Sequence, residues 1–201
     1  MNPLRTQANS VASMDSHASE NLRYIRRTME SAGAFSSVPG KGGVAMGVVA
    51  LVAAAVAGLP SFGDYWLAVW IVAAILAAAI GSVALVRKAR RCRQSLFGPI
   101  GRRFLLGLTP SILCSIILTP FLAGVGSNQL VAGAWLLLYG AGVVAGGTLS
   151  VRLVPILGSV FMLLGGTCLL LPAVSPNLFM ALGFGGAHIV FGVLIARSHG
   201  G

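Results

Sequence analysis

Few residues in the apolar stretches of this chain carry a group that could do chemistry. His188 is the one histidine set within such a stretch, and Gly183, Gly185, Gly186 and Gly192 surround it. An imidazole at that depth could ligate a metal or haem, relay protons or sense pH. It could also be a neutral ring bonded to a neighbouring helix, with the glycines making room. Haem held by two histidines would need a second one in the apolar region, and His17 and His199 lie outside it. A second set is Ser111, Ser115 and Thr119, a hydroxyl stripe at steps of four, flanked by Pro110 and Pro120. Proline in a membrane helix frees carbonyls that hydroxyls or water can satisfy. The stripe therefore reads either as the lining of a solute path or as a seam between helices. Tyr139 could serve as partner to the stripe or to the histidine.

The chemistry these sets cannot do is equally informative. Asp15, Glu20, Glu30 and Asp64 are the four acids, and none falls in an apolar run. Paired-carboxylate hydrolysis is thereby removed, and an ion-coupled carrier loses its usual intramembrane charge. Of the three cysteines, Cys92 stands among basic residues, while Cys114 and Cys168 read as small buried hydrophobes. No CxxC pair or His/Cys spacing suggests a metal. The expectation is no catalytic residue, no metal and no cofactor.

Those residues must be held by elements made for lipid. Hydrophobic residues form 56% of the 201 and charged ones only 9%, against about 25% charged in a soluble domain. Six apolar segments, roughly 42–59, 65–86, 104–123, 129–149, 153–172 and 178–196, each approach the ~20 residues needed to cross hydrocarbon. The fold class expected is all-α and polytopic, because helices satisfy their own backbone groups and these segments lack barrel-strand alternation. Lys41, followed by an apolar run to Ala57, imitates a signal peptide but starts too late in the chain, so it is read as a retained helix.

Charge sorts along these segments. Arg5, Arg23, Arg26, Arg27 and Lys41 precede the first, while Arg87, Lys88, Arg90, Arg91, Arg93, Arg102 and Arg103 lie between the second and third. Arg152 falls between the fourth and fifth, and Arg197 follows the sixth; the alternate connections hold only Asp64. Retention of Lys and Arg in cytoplasmic loops predicts both termini in the cytoplasm of a multi-pass inner-membrane protein. The net charge of +10 would point to nucleic acid in a soluble protein. Here it is topogenic, with the 87–103 cations contacting anionic lipid headgroups, and no nucleic-acid partner is expected.

Before the spans, residues 1–18 read as a polar tail. Residues 19–33 read as an amphipathic helix lying in the interface, with Leu22, Ile25, Met29 and Ala32 on one face. Pro39-Gly40-Lys41-Gly42-Gly43 is expected to turn the chain into the bilayer. Connections at 60–64, 124–128 and 173–177 are short, so the spans read as three antiparallel hairpins, with residues 197–201 as a tail. Gly43/Gly47, Ala73/Ala77/Gly81 and Gly142/Gly146 bring small residues onto shared faces and predict a tight bundle, with association of copies in view.

Two stretches, NLRYIRRTMESAGAFSSVPGKGG over Asn21–Gly43 and GFGGAHIVFGVLIARSHGG over Gly183–Gly201, resemble an uncharacterised family of small bacterial six-span integral membrane proteins. That resemblance implies the fold and no activity. The three hairpins with Gly-rich, Pro-terminated spans also look loosely like the acid-resistance membrane protein family. The function expected is a non-enzymatic structural or regulatory interaction module, associating with itself or another membrane protein. The alternative is a carrier or channel for a small neutral or weakly charged solute.

Overall fold

The computed structural model describes residues 20–23, 38–92, 96, 98–148 and 150–199, and the chain divides into two units, 1–33 and 34–201. Of the first unit only 20–23 is described, and it is helical. The expected tail 1–18 and the rest of the amphipathic helix 19–33 lie outside the described residues, as does Arg93.

The second unit is all-α, with no strand among the described residues, and six of its helical stretches are long and apolar enough to cross a membrane. These are α1 (Gly40–Ala57), α2 (Trp66–Arg91), α3 (Pro99–Gly124), α4 (Asn128–Gly147), α5 (Leu153–Leu170) and α6. The last is composite: Pro176–Met180 and His188–His199 are α-helical, joined by a π-helical turn over Ala181–Ala187. A 3₁₀ turn, Pro60–Tyr65, links α1 to α2. Local chemistry sets the ends. Proline opens α3 and α6, where its missing N–H costs nothing, and the Ser127 hydroxyl accepts from the Leu130 N–H at the start of α4. Gly126 reverses the chain after α3 with φ +78°, a left-handed conformation suited to glycine.

Packing follows small residues. Across α4 and α5, a Cβ on Gly140 would stand 2.6 Å from the Gly158 carbonyl oxygen, and one on Gly158 would stand 2.7 Å from that of Gly140. Only two glycines allow the backbones so close. Across α1 and α6, a Cβ on Gly40 would fall 2.4 Å from the Ala196 nitrogen. That contact corrects the expected entry turn: Gly40, Gly42 and Gly43 lie inside α1, Gly40 because α6 passes against its backbone. Gly47 faces α6, Gly81 faces Met46 of α1, and Gly142 and Gly146 face Ser111 and Phe104 of α3.

The neighbours are therefore not confined to consecutive pairs. Helix α2 packs chiefly on α1 and α3 chiefly on α4, while α4 runs extensively along α5 and α6 along α1. Each of these pairs is antiparallel by its contacts, as Gly40–Ala196 and Gly47–Ile189 show for α1 and α6. This antiparallel order gathers the helix ends bearing Lys41, Arg87, Arg102, Arg152 and Arg197 at one end, the basic end. The core, with Leu136, Phe161, Cys168 and Met180 fully buried, joins α1, α2, α4, α5 and α6.

Candidate functional site

The middle of α6 sets the site. His188 is the thirteenth of the 23 residues from Pro176 to Ser198, near the middle of its span. The residue is 5% exposed. Nδ1 lies 3.1 Å from the Phe184 carbonyl oxygen and Nε2 lies 2.9 Å from the Tyr139 hydroxyl. A carbonyl can only accept, so Nδ1 carries the hydrogen; in the neutral ring Nε2 then accepts from the Tyr139 O–H. The pair joins α6 to α4.

Aromatic rings close around it. Phe161 of α5 stands 4.9 Å from Tyr139 and 5.1 Å from His188, both edge-on, and Phe184 lies 5.1 Å from Tyr139. Edge-to-face contacts of this kind add about 0.5–1.5 kcal/mol beyond area burial. Gly183 makes the packing possible, since a Cβ there would meet Leu136 at 2.6 Å and Phe161 at 3.2 Å. The π-helical turn ends at Ala187, and the His188 backbone N–H bonds to the Gly185 carbonyl. Such turns are rare and frequent at functional sites.

The hydroxyl stripe is elsewhere and is organised differently. Ser115 donates to the Ser111 carbonyl at 2.9 Å and Thr119 to the Ser115 carbonyl at 2.6 Å. Thr109 does the same to Leu105. The carbonyls that Pro110 and Pro120 free are those of Leu106 and Ile116, so these hydroxyls do not satisfy them. Each binds four residues back because that carbonyl is the nearest acceptor on its own face. The link to α4 comes from Trp135, whose indole N–H donates to the Thr119 hydroxyl at 2.8 Å. Ser111 packs on Gly142. Tyr139 thus partners the histidine, and the stripe and the pair do not join. Cys168 is buried as expected, but Cys114 is exposed.

Three polar ties were not legible as such. Trp70 donates to the Asn177 side-chain oxygen at 3.1 Å, and the Asn177 amide donates to the Ala54 carbonyl at 2.8 Å, binding α2, α6 and α1. Gln129 donates to the Cys168 carbonyl, fastening α4 to α5. Lys88 donates to the Val38 carbonyl at 2.9 Å, fastening α2 to the entry of α1. An isolated amide at the edge of an apolar run was the available signal for the first two. By contrast, the Trp66 indole N–H is buried without a hydrogen-bond partner among the described residues.

The 87–103 cations divide. Arg87 and Arg91 line a groove with Lys41 between α1 and α2, and Lys88 forms part of its wall. Arg90, Arg102 and Arg103 are exposed outside it. Among the described residues no cluster of three His, Cys, Asp or Glu could hold a metal. Comparison with family models, curated proteins and solved structures gives no match.

Proposed function

We propose that the protein is a non-enzymatic interaction module of a bacterial inner membrane. Both termini lie in the cytoplasm, and the basic end of the bundle forms the face that meets a partner or a second copy. The observation that carries this reading is how the interior polar groups are closed. Tyr139 and His188 bond each other inside a ring of aromatics, while Ser115 and Thr119 donate to their own helix and Thr119 accepts from Trp135 of α4. Two hydrogen-bonded sets that do not meet make a poor solute path. Packed, satisfied polar groups in lipid instead specify which helices associate. The cationic face draws the protein to anionic headgroups.

The test is deletion of residues 1–33, a unit separate from 34–201. Membrane insertion is retained and the co-purifying partner profile is lost; an unchanged profile would count against the module. A carrier or channel is the second reading, favoured by the π-helical turn beside His188. Native mass spectrometry of protein extracted gently from its own membrane separates them. A homo-oligomer or protein partner supports the module, whereas a discrete non-lipid small molecule on a monomer supports the carrier.

A further inference from the structure

The groove at the basic end changes chemistry along the membrane normal. It encloses about 540 Å³ and is lined by Lys41, Gly42 and Ala45 of α1 and by Ala79, Val83, Ala84, Arg87, Lys88 and Arg91 of α2, among others. The cations gather at the outer end of the groove, Arg91 one turn beyond Arg87. Lys41 opens α1, and Arg87 stands twenty-one residues beyond Trp66, about 31 Å along α2 at 1.5 Å per residue. That distance matches the ~30 Å of a hydrocarbon core, so with Trp66 at one interface Arg87 reaches the other. Ala45, Ala79 and Val83 lie one to two turns deeper and carry no polar side-chain atom. The groove is therefore cationic at headgroup depth and apolar at acyl depth.

Its walls are fixed rather than incidental. A Cβ on Gly42 would meet that of Ala84 at 2.5 Å, and one on Gly81 would meet the Met46 sulfur at 2.8 Å, so α1 and α2 touch along the floor. The Lys88 ammonium, on the Val38 carbonyl, clamps the top. Lys41, Arg87 and Arg91 remain exposed above that floor. The sole acidic side chain after residue 33 is Asp64, which precedes α2 at the end opposite these cations.

We propose that this groove binds one anionic phospholipid, its phosphate held by Lys41, Arg87 and Arg91 and an acyl chain laid along Ala45, Ala79 and Val83. Basic pockets between spanning helices take anionic headgroups in this way. A guanidinium offers a fork matched to phosphate oxygens, and two of them flank the site. The site is narrower than the diffuse contact expected of the 87–103 cations: it recruits Lys41 from α1 and leaves Arg90, Arg102 and Arg103 out. It rests on the membrane placement proposed above but not on the interaction-module reading, which the 1–33 deletion tests separately.

The experiment titrates the full-length protein in a non-ionic detergent with dioleoyl phosphatidylglycerol or dioleoyl phosphatidylcholine and counts bound lipid by native mass spectrometry. One phosphatidylglycerol saturates the protein at concentrations that leave phosphatidylcholine unbound. Replacing Lys41, Arg87 and Arg91 together by glutamine weakens that binding by about a hundredfold, the scale of three cations near an anionic surface. Replacing Arg102, Arg103 and Arg197 by glutamine removes the same charge and leaves binding essentially unchanged. Should the first variant fail to fold, Ala45→Leu with Ala79→Leu fills the apolar half, keeps every cation and still expels the lipid. Equal weakening in both arginine-containing sets would mean unspecific attraction and overturn the site. Retention of lipid by the leucine variant would do the same, as would complete displacement by millimolar inorganic phosphate.

Discussion

Two polar groups in this bundle have similar composition and opposite construction. Tyr139 and His188 stand on α4 and α6, forty-nine residues apart, and bond across the helix interface. Ser115 and Thr119 stand on one helix and donate their hydroxyls four residues back along it, although Thr119 also accepts from Trp135 of α4. A hydroxyl that satisfies itself on its own helix carries no information about which neighbour to choose. A ring that needs an atom of another helix does. In lipid, where apolar contact barely distinguishes one helix from another, such bonds and close glycine contacts are what select partners. Depth and polarity alone do not mark a functional group; the address of its hydrogen bond does.

The largest effect should come from the pair. His188→Ala leaves a cavity among Tyr139, Phe161 and Phe184 and an unpaired phenol, costing about 3–5 kcal/mol of stability. Denaturation in mixed detergent micelles, followed by helix content, measures this. Tyr139→Phe keeps the ring and drops only the bond, costing about 1–2 kcal/mol. If both variants changed stability by less than the measurement error, the pair would not be holding α4 to α6, and the contrast drawn above would collapse.

At the other end of the bundle two tryptophans differ in the same way. Trp66 and Trp70 lie one turn apart and are both buried, with rings 6.3 Å from each other. Trp70 is tied to Asn177 across helices; the Trp66 N–H is buried with no hydrogen-bond partner among the described residues. Trp70→Phe should cost about 1–3 kcal/mol, since it strands the Asn177 oxygen. Trp66→Phe removes an unsatisfied donor and should be neutral or stabilising. Reversal of that order would show that burial volume, not hydrogen bonding, governs this end.

How much of this was legible before the structure depends on whether a signal is local. The spans were, because about 20 apolar residues must form a helix in hydrocarbon, and α1 to α6 match the six segments closely. The extensions were not: α2 runs on through Arg91 and α3 begins at Pro99, because basic residues at a helix end are solvated whether helical or not. Which helices meet was hidden too. Short loops suggested consecutive pairs, yet α6 lies along α1, a contact set by Gly40, Gly47 and Gly192 that spacing alone could not assign to a partner. His188 and Tyr139 were both singled out, but their pairing depends on that same packing. Lys41 and Arg91 belong to separate basic groups in the sequence and meet only because α1 and α2 are antiparallel.

Within the stripe itself the effects should be smaller and graded. Thr119 accepts from Trp135, so Thr119→Val keeps the shape and strands an indole N–H between α3 and α4. A cost of about 1 kcal/mol is expected, the size of interhelical hydrogen bonds in membranes. Trp135 fluorescence reports it directly, since the indole loses its acceptor.

Ser115→Ala should be the quietest change. Its hydroxyl donates to the Ser111 carbonyl, which also receives the Ser115 backbone N–H in a regular helix, so deletion leaves no atom unpaired. Hydroxyls bonded in this way slightly bend helices rather than join them. The stability change should stay within about 0.5 kcal/mol, as for other substitutions away from a tertiary contact. A loss near that of Tyr139→Phe would mean that the α3 hydroxyls are held by something beyond their own helix. Ser115 would then belong to a contact between copies or to a solute path, and the distinction between the two polar groups would have to be redrawn around α3.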